Sequence, residues 1–291
     1  MRSWMIRAAS ACRMAACFHT VKPGPLSLTV ARWLRPICAS CWRPEFVQYR
    51  QRDGGDGMPG NLQIMSTLAV ELAFKRDILP AWQEKGIDTS VQWSPTTVLV
   101  QEIRQGKRAD AIIMIEHQLE ALEAEGIVES SSITPLAQAR FGLGVLAGAA
   151  HPAIDTAEDF LDAIRAARSI AYSLAGASGI HFRKILQDRG MTDVLDRATP
   201  IQAGFTAEKL VSGEADLAVQ QISELMLVKG VEIVGPFPEP LQQTTDFACA
   251  IFADAPNAAH ARTFLDHLQS PQSQQAYRDG GLDSLVTAQP A

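Results

Sequence analysis

Four short clusters of hydroxyl, amide and glycine residues stand out for their chemistry: Ser66-Thr67, Thr96-Thr97, Ser173 to Gly179, and Gln220-Gln221. A fifth, Ala203-Gly204-Phe205-Thr206, has the same small and polar character. Each follows a short apolar run and precedes residues at helical spacing, so each marks a strand feeding the start of a helix. The first N–H groups of a helix have no partner within it, and the helix dipole favours negative charge there. Neutral donors at such turns therefore suit a small anion. The fullest example runs from Ser169 to Phe182. Ile170 to Tyr172 reads as a strand and Ser173 to Gly179 as a small-residue loop, after which Ile180, Phe182, Ile185 and Leu186 share one helix face. Gly176 and Gly179 let the backbone come close to a ligand, while Ser173 and Ser178 cap the helix or donate a hydroxyl. An ordinary N-capped helix explains any one of these turns. Their recurrence is what points to a ligand.

Other chemistries fail on spacing. Gly176-Ala-Ser178-Gly179-Ile180 misses the G-x-S-x-G nucleophile elbow at its last position. His181 lies three residues from Ser178 with no orienting acid evident. His117, His151, His260 and His267 have no i, i+4 partner, and no Walker or Rossmann phosphate loop is present. Cys38-Ala-Ser-Cys41 is half a metal site without its other half, and Cys249 reads as a small buried hydrophobe. No enzyme, cofactor or metal is expected on these grounds. Gln220 and Gln221, two adjacent amides at a buried strand end, must find partners; Gln221 is assigned to the ligand.

The elements that would position these groups alternate along the chain. Strands are expected at Asn61–Met65, Val91–Trp93 and Ala111–Ile115, with helices after Ser66-Thr67, after Ser94-Pro-Thr-Thr97 and from His117 to Ala124. The alternation restarts after His151-Pro152, with strands at Ile170, Thr199–Gln202 and Leu217–Val219, each followed by a helix. Two longer strands, Ala139–Ala147 and Phe247–Phe252, interrupt it, and Ser270-Pro271 caps a terminal helix. Such alternation implies right-handed βαβ units in doubly wound sheets, with ligands beyond the carboxyl ends of the strands.

At 291 residues with 47% hydrophobic and 20% charged residues, the chain has the composition of a globular protein of one or two domains. No apolar run approaches the ~20 residues a membrane-spanning helix needs. Residues 1–57 hold nine Lys/Arg and three Asp/Glu; the remaining 17 basic and 29 acidic residues leave the body at −12. So acidic a body argues against a nucleic-acid partner. Arg2, Arg7 and Arg13 break up the apolar residues of the leader, which gives no readable export signal and ends in Asp53-Gly-Gly-Asp-Gly57. The folded protein is expected to begin near Met58.

From Asn61 to about Leu285 the chain resembles the molybdate-type substrate-binding proteins of ABC transporters, within the type II periplasmic binding protein superfamily. The resemblance is carried by Met65-Ser-Thr-Leu68, Gln105-Gly-Lys-Arg-Ala-Asp110, Ala177-Ser-Gly-Ile180, Gly213-Glu-Ala-Asp-Leu-Ala-Val219 and Leu268-Gln-Ser-Pro271 through Gly280-Gly-Leu282. It implies two doubly wound α/β lobes joined by a two-strand hinge, with crossovers near Phe141 and Phe247, and closure on a ligand. The implied division is a leader at 1–57, one lobe from 58–140 plus 247–287, the other from 141–246, and a tail at 288–291. Carried over residue by residue, the ligand contacts are Thr67, Thr96 and the backbone N–H groups of Ile115 and Ser178, with Ser66, Thr97 and Gly179 beside them. Ala203 follows, with Gly204, Phe205 and Thr206 as equal candidates, and Gln221 stands where relatives place a tyrosine. The implied function is capture of a small, molybdate-like anion, as a monomer, for ABC transporter membrane subunits in the periplasm. An intracellular ligand sensor on the same fold is the alternative. A transcription-factor form would need a helix-turn-helix ahead of Met58, which Pro23, Pro25, Pro36 and Pro44 oppose.

Overall fold

A computed structural model describes residues 61–286. The basic leader, its cysteines, the expected start at Met58 and the tail at 288–291 lie outside the described residues.

Two mixed sheets share one long strand. In the first, β1 (Leu62–Ser66) lies between β2 (Thr89–Trp93) and β3 (Ala111–Ile115), all parallel. β4 (Thr134–Leu146) is thirteen residues long. In the second sheet, β5 (Ile170–Ser173) lies between β6 (Thr199–Ile201) and β7 (Leu217–Gln221), again parallel. β8 (Val231–Pro236) and β9 (Thr244–Ile251) follow, and a short β10 (Asp283–Ser284) adds to β4. β9 runs antiparallel to both β3 and the first part of β4. From Phe141 onward β4 instead pairs antiparallel with β7 and β8. The sheets are therefore mixed, where strand-helix alternation alone implies parallel ones, because the two long strands enter them antiparallel.

β4 changes sheets at Phe141, and a side chain covers the gap in its ladder. The Phe141 N–H donates to Gln242 Oε1 (3.1 Å), and Gln242 Nε2 donates back to the Phe141 carbonyl (3.0 Å) and to that of Phe237 (3.2 Å). The amide thus reproduces the donor-acceptor pair of a neighbouring strand. The second link between the sheets runs over residues 237–243, ahead of β9 rather than near Phe247, which pairs with Ile115 inside the first sheet.

Both sheets are covered on both faces, as parallel strands require. Leu62, Ile64 and Ile113 pack under Phe74, Trp82, Phe264 and Tyr277, while Met65, Ile112 and Met114 pack on the other face with Leu99, Ile103 and Phe252. The period of two along β1 and β3 sends alternate side chains to opposite cores. The second sheet repeats this, with Phe141, Leu143, Ile170, Tyr172 and Val219 on one face and Ala171, Ala218 and Leu225 on the other.

Two aspartates one residue ahead of an inner strand tie each sheet at its lower end. Asp110, fully buried, accepts from the Gln63 N–H (2.7 Å) and from the Asn257 N–H (2.8 Å) and side chain (3.2 Å). Asp216 accepts from the Arg168 N–H (2.9 Å) and guanidinium (2.8 Å). The similar strings Gly106-Lys-Arg-Ala-Asp110 and Gly213-Glu-Ala-Asp216 thus do the same structural job in the two sheets. β8, the helix Thr192–Asp196 and the helix Ala258–Leu268 are elements that the sequence pattern did not reveal.

The helix Ala177–Asp188 crosses the end of β5 at the closest approach its backbone permits. A Cβ on Gly179 would sit 1.8 Å from the Ser173 carbonyl oxygen. Gly179→Ala therefore forces helix and strand apart, and it is expected to cost at least the 1–3 kcal/mol or so typical of overpacking. Urea unfolding measures this; unchanged stability would show that the contact is looser than described.

Candidate functional site

A cavity of about 530 Å³ opens between the strand ends of the two sheets. From the first sheet it takes Thr67, Thr96, Thr97, Ile115 and His117; from the second it takes Ser173, Gly176, His181, Lys184, Gly204 and Glu224, with Gln220 and Gln221 at the end of β7. Leu68, Val100, Ile180 and Phe247 add apolar surface.

Each polar group is placed by a strand end or a helix start. Thr67 follows β1 and precedes the helical segment at 68–83, donating its N–H to the Ile113 carbonyl (2.9 Å) and making no side-chain cap bond. Pro95 holds the extended cap conformation ahead of the helix Thr96–Arg104, so Thr96 and Thr97 are its first two residues. Thr96 Oγ1 is buried and has no hydrogen-bond partner among the described residues. Thr97 Oγ1 donates across the cavity to the Ala175 carbonyl (3.2 Å). Ile115 ends β3 at the cap of the helix Glu116–Ala124. On the opposite wall Gly176 caps the helix Ala177–Asp188, and its N–H donates to Ser173 Oγ (2.9 Å).

The two adjacent glutamines have different fates. Gln220 Oε1 accepts from the Thr206 N–H (2.8 Å) and hydroxyl (3.0 Å), while its Nε2 donates to the Gly204 carbonyl (3.3 Å). Its amide holds the 204–206 turn and also bonds to the Glu224 side chain. Gln221 Oε1 is buried without a partner among the described residues. An orphaned buried polar atom costs ~1–3 kcal/mol, so such groups persist where a ligand or water completes them.

Glu224 is the one carboxylate among the cavity's lining residues, and only 8% of its surface is exposed. Burial is the main cause that pushes its pKa up, to about 7, with the nearby Glu71 carboxylate adding to the rise. Hydrogen bonds from the Gln221 N–H (3.4 Å) and the Gln220 side chain oppose it. His181 bonds through Nε2 to the Leu241 carbonyl (2.8 Å), and Lys184 pairs with Asp188 (2.8 Å). Beside the main cavity, burial together with Asp246 and Glu120 raises the pKa of Glu116. No cluster of His, Cys, Asp or Glu suited to a metal ion occurs among the described residues. Cys249 is buried, which pushes its thiol up to about 12.

Of the residues singled out from the sequence, Thr67, Thr96, Thr97, Ile115, Gly204 and Gln221 line the cavity. Ser66, Ser178, Gly179, Ala203, Phe205 and Thr206 do not. Ser66 is fully buried and donates to the Thr67 carbonyl (3.2 Å). Ser178 and Gly179 turn into the contact between helix and β5. Thr206 is committed to Gln220, Ala203 is exposed, and Phe205 is half-buried. Residues not singled out as ligand contacts also line the cavity: His117, Gln118, His181, Lys184, Glu224 and Gln243. Two signals could have found some of them. Positions 177, 180, 181 and 184 form one stripe of a helix. Gln221-Ile-Ser-Glu224 has the spacing of a capping box, which folds the N3 carboxylate back over the strand end.

Residues 62–283 match the family model described as bacterial extracellular solute-binding protein. Among relatives, an aconitate isomerase from a Pseudomonas species is 30% identical over 223 residues, covering 74% of this chain and 84% of that protein. The molybdate-binding protein ModA of Escherichia coli K12 is 24% identical over 205 residues, covering 68% of this chain and 79% of that protein. Among solved structures, the periplasmic molybdate-binding protein of Azotobacter vinelandii superposes with a TM-score of 0.64 at 16% identity. It covers 79% of this chain and 100% of that one. The fold is that of the type II periplasmic binding proteins.

The perturbed carboxyl fixes a pH dependence. Its pKa is about 7 in the folded chain against 4.5 ordinarily, so between these values the folded state holds a proton that the unfolded state has lost. Stability therefore falls as pH rises from 4.5 to 7 and is fully reduced above 7. Glu224→Gln is expected to flatten this slope and to be the more stable form at pH 8, by up to about 3 kcal/mol. Thermal melts of both proteins at pH 5 and pH 8 test it; equal slopes would refute it.

Proposed function

The chain belongs to the family of bacterial extracellular solute-binding proteins, and from that premise we propose that its cleft captures a small organic anion for an ABC transporter. The observation that carries this reading is the pair of orphaned buried groups, Thr96 Oγ1 and Gln221 Oε1, one on each wall of one cavity. An anionic guest in that space accepts from the Thr96 hydroxyl and from the Gln221 side-chain NH2, while Gln221 Oε1 takes a hydroxyl of the guest or a water that comes with it. The helix starts at 68, 96 and 177 add N–H groups and favourable dipole ends. A carbon skeleton fits better than a bare oxyanion. The volume falls in the range of roughly 300–1,000 Å³ usual for organic ligands, and Leu68, Val100, Ile180 and Phe247 give it an apolar lining.

Two lobes joined near Phe141 and residues 237–243 would close on this guest, bringing Thr96 and Gln221 onto it from opposite sides. The partners in this reading are transporter membrane subunits, the compartment is the periplasm, and the protein acts as a monomer. Membership of the family supports the transporter partners and the compartment. Among the described residues no helix is long and apolar enough to cross a membrane.

A second reading is favoured by a specific observation. The 30% identical relative is named an aconitate isomerase, and the cavity contains a carboxyl poised near neutral pH. In this reading the guest is an unsaturated tricarboxylate and the cleft converts it.

A thermal-shift panel of molybdate, sulfate, phosphate and di- and tricarboxylates at several concentrations tests the binding reading. A ligand at 100 times its Kd should add about 2.7 kcal/mol of stability. For the responding ligand, Thr96→Val and Gln221→Ala are each expected to weaken binding about 10- to 100-fold, the value of a hydrogen bond to a charged group. Thr96→Val should leave the empty protein at least as stable, since it removes an unsatisfied hydroxyl. Unchanged affinity in both variants would remove this pair from the site. Conversion of cis- to trans-aconitate followed by proton NMR tests the second reading; a bound but unconverted guest would leave capture alone.

A further inference from the structure

We propose that Glu224 is the acid–base residue of this cleft, moving an allylic proton within a bound unsaturated polycarboxylate; this rests on the second reading above. The charge of one lining residue does not match the rest. The other polar lining groups named here are hydroxyls, amides, histidines and one lysine, all able to donate to an anion, whereas Glu224 is an acid. A buried carboxylate beside an anionic guest repels it, and the isosteric amide would bind better. A site built only for capture gains nothing from a carboxyl here. A site that moves a proton needs one.

The surroundings of Glu224 suit that task. It sits in the third position of the short helix Ile222–Leu225, held from behind by the Gln221 N–H. The elements packed against this helix bring few other ionisable groups. Glu71, which pairs with Lys75, is the neighbouring acid. Arg140 on β4 and Glu232 on β8 are engaged with Asp283 and His151 respectively. Burial and Glu71 hold the Glu224 carboxyl near neutrality, where a general base keeps both its charge and its driving force.

The step balances without a co-reactant. The Glu224 carboxylate takes a proton from the CH2 between a carboxylate and a C=C bond. The C–H electron pair becomes a new double bond, and the old double-bond pair takes a proton at its far carbon from the Glu224 carboxyl. Glu224 ends as the carboxylate it began as, and nothing is oxidised or reduced. The intervening allyl anion spreads its charge onto the flanking carboxylates. There Lys184, Thr96 and the Gln221 amide lie among the cavity's donors, and rotation about its partial double bonds exchanges cis and trans geometry.

The experiment incubates the full chain with cis-aconitate in D2O. Proton NMR follows loss of the CH2 signal and appearance of the trans isomer, while titration calorimetry gives Kd separately. Wild type is expected to bind and to isomerise or exchange. Glu224→Gln should bind as tightly or more tightly yet turn over ~10²–10⁴-fold more slowly, the usual contribution of general acid–base catalysis. Glu224→Asp, which keeps the acid but shortens its reach, should retain a slow residual rate at similar Kd and serves if the amide variant does not fold. Three results overturn the proposal, and each says what else fails. Binding without exchange in wild type leaves a capture protein. Undiminished turnover in Glu224→Gln leaves an isomerase with another base. Absence of binding removes tricarboxylates from both readings.

Discussion

Everything in this molecule depends on buried polar groups meeting at the ends of two sheets that one strand holds together. Parallel strands run β1, β3, β5 and β7 toward a common gap, and β4 passes through both sheets at Phe141. The helix starts that follow those strands bring unpaired N–H groups to the same space. A protein that buried such groups with no guest in view would fill them with its own side chains. This chain does so with Gln220 and Thr206, but not with Thr96 or Gln221.

The join at Phe141 shows how a strand that changes sheets is kept hydrogen-bonded. A β-ladder cannot change partners without leaving backbone groups unpaired at the switch. Gln242 supplies a donor and an acceptor there from a side chain, which bends more easily than a strand. The Thr97 hydroxyl spans the cavity to Ala175 at its open side. One contact is thus made at the root of the gap and one across its face.

The fold was legible from residue pattern because its strongest signals are local. The continuous apolar run Ala111–Ile115 is β3 to the residue, and Ser270-Pro271 starts the terminal helix. β8 escaped because it is half-exposed along its length and ends in Gly235-Pro236, which reads as a turn. The cavity was legible where a strand end and a helix start coincide, as at Thr67, Thr96 and Gln221. It failed at Ser178, because Ser178-Gly179 has the composition of a binding turn, while close helix–strand packing uses the glycine here. It failed for His181 and Lys184 because residues one and two turns into a helix show their direction only once that helix is docked.

Glu224 enters the site only through the structure. It stands three places after Gln221, and the fold makes it the N3 carboxylate of the short helix Ile222–Leu225. Burial turns it into a group near neutral pKa facing the same space as the orphaned amide of Gln221. The capping bond itself stabilises the charged form, so the cap and the desolvation pull in opposite directions. A carboxyl so balanced can be the base that takes a proton and the acid that returns it. Capture and conversion differ only in whether a proton passes between this carboxyl and carbon.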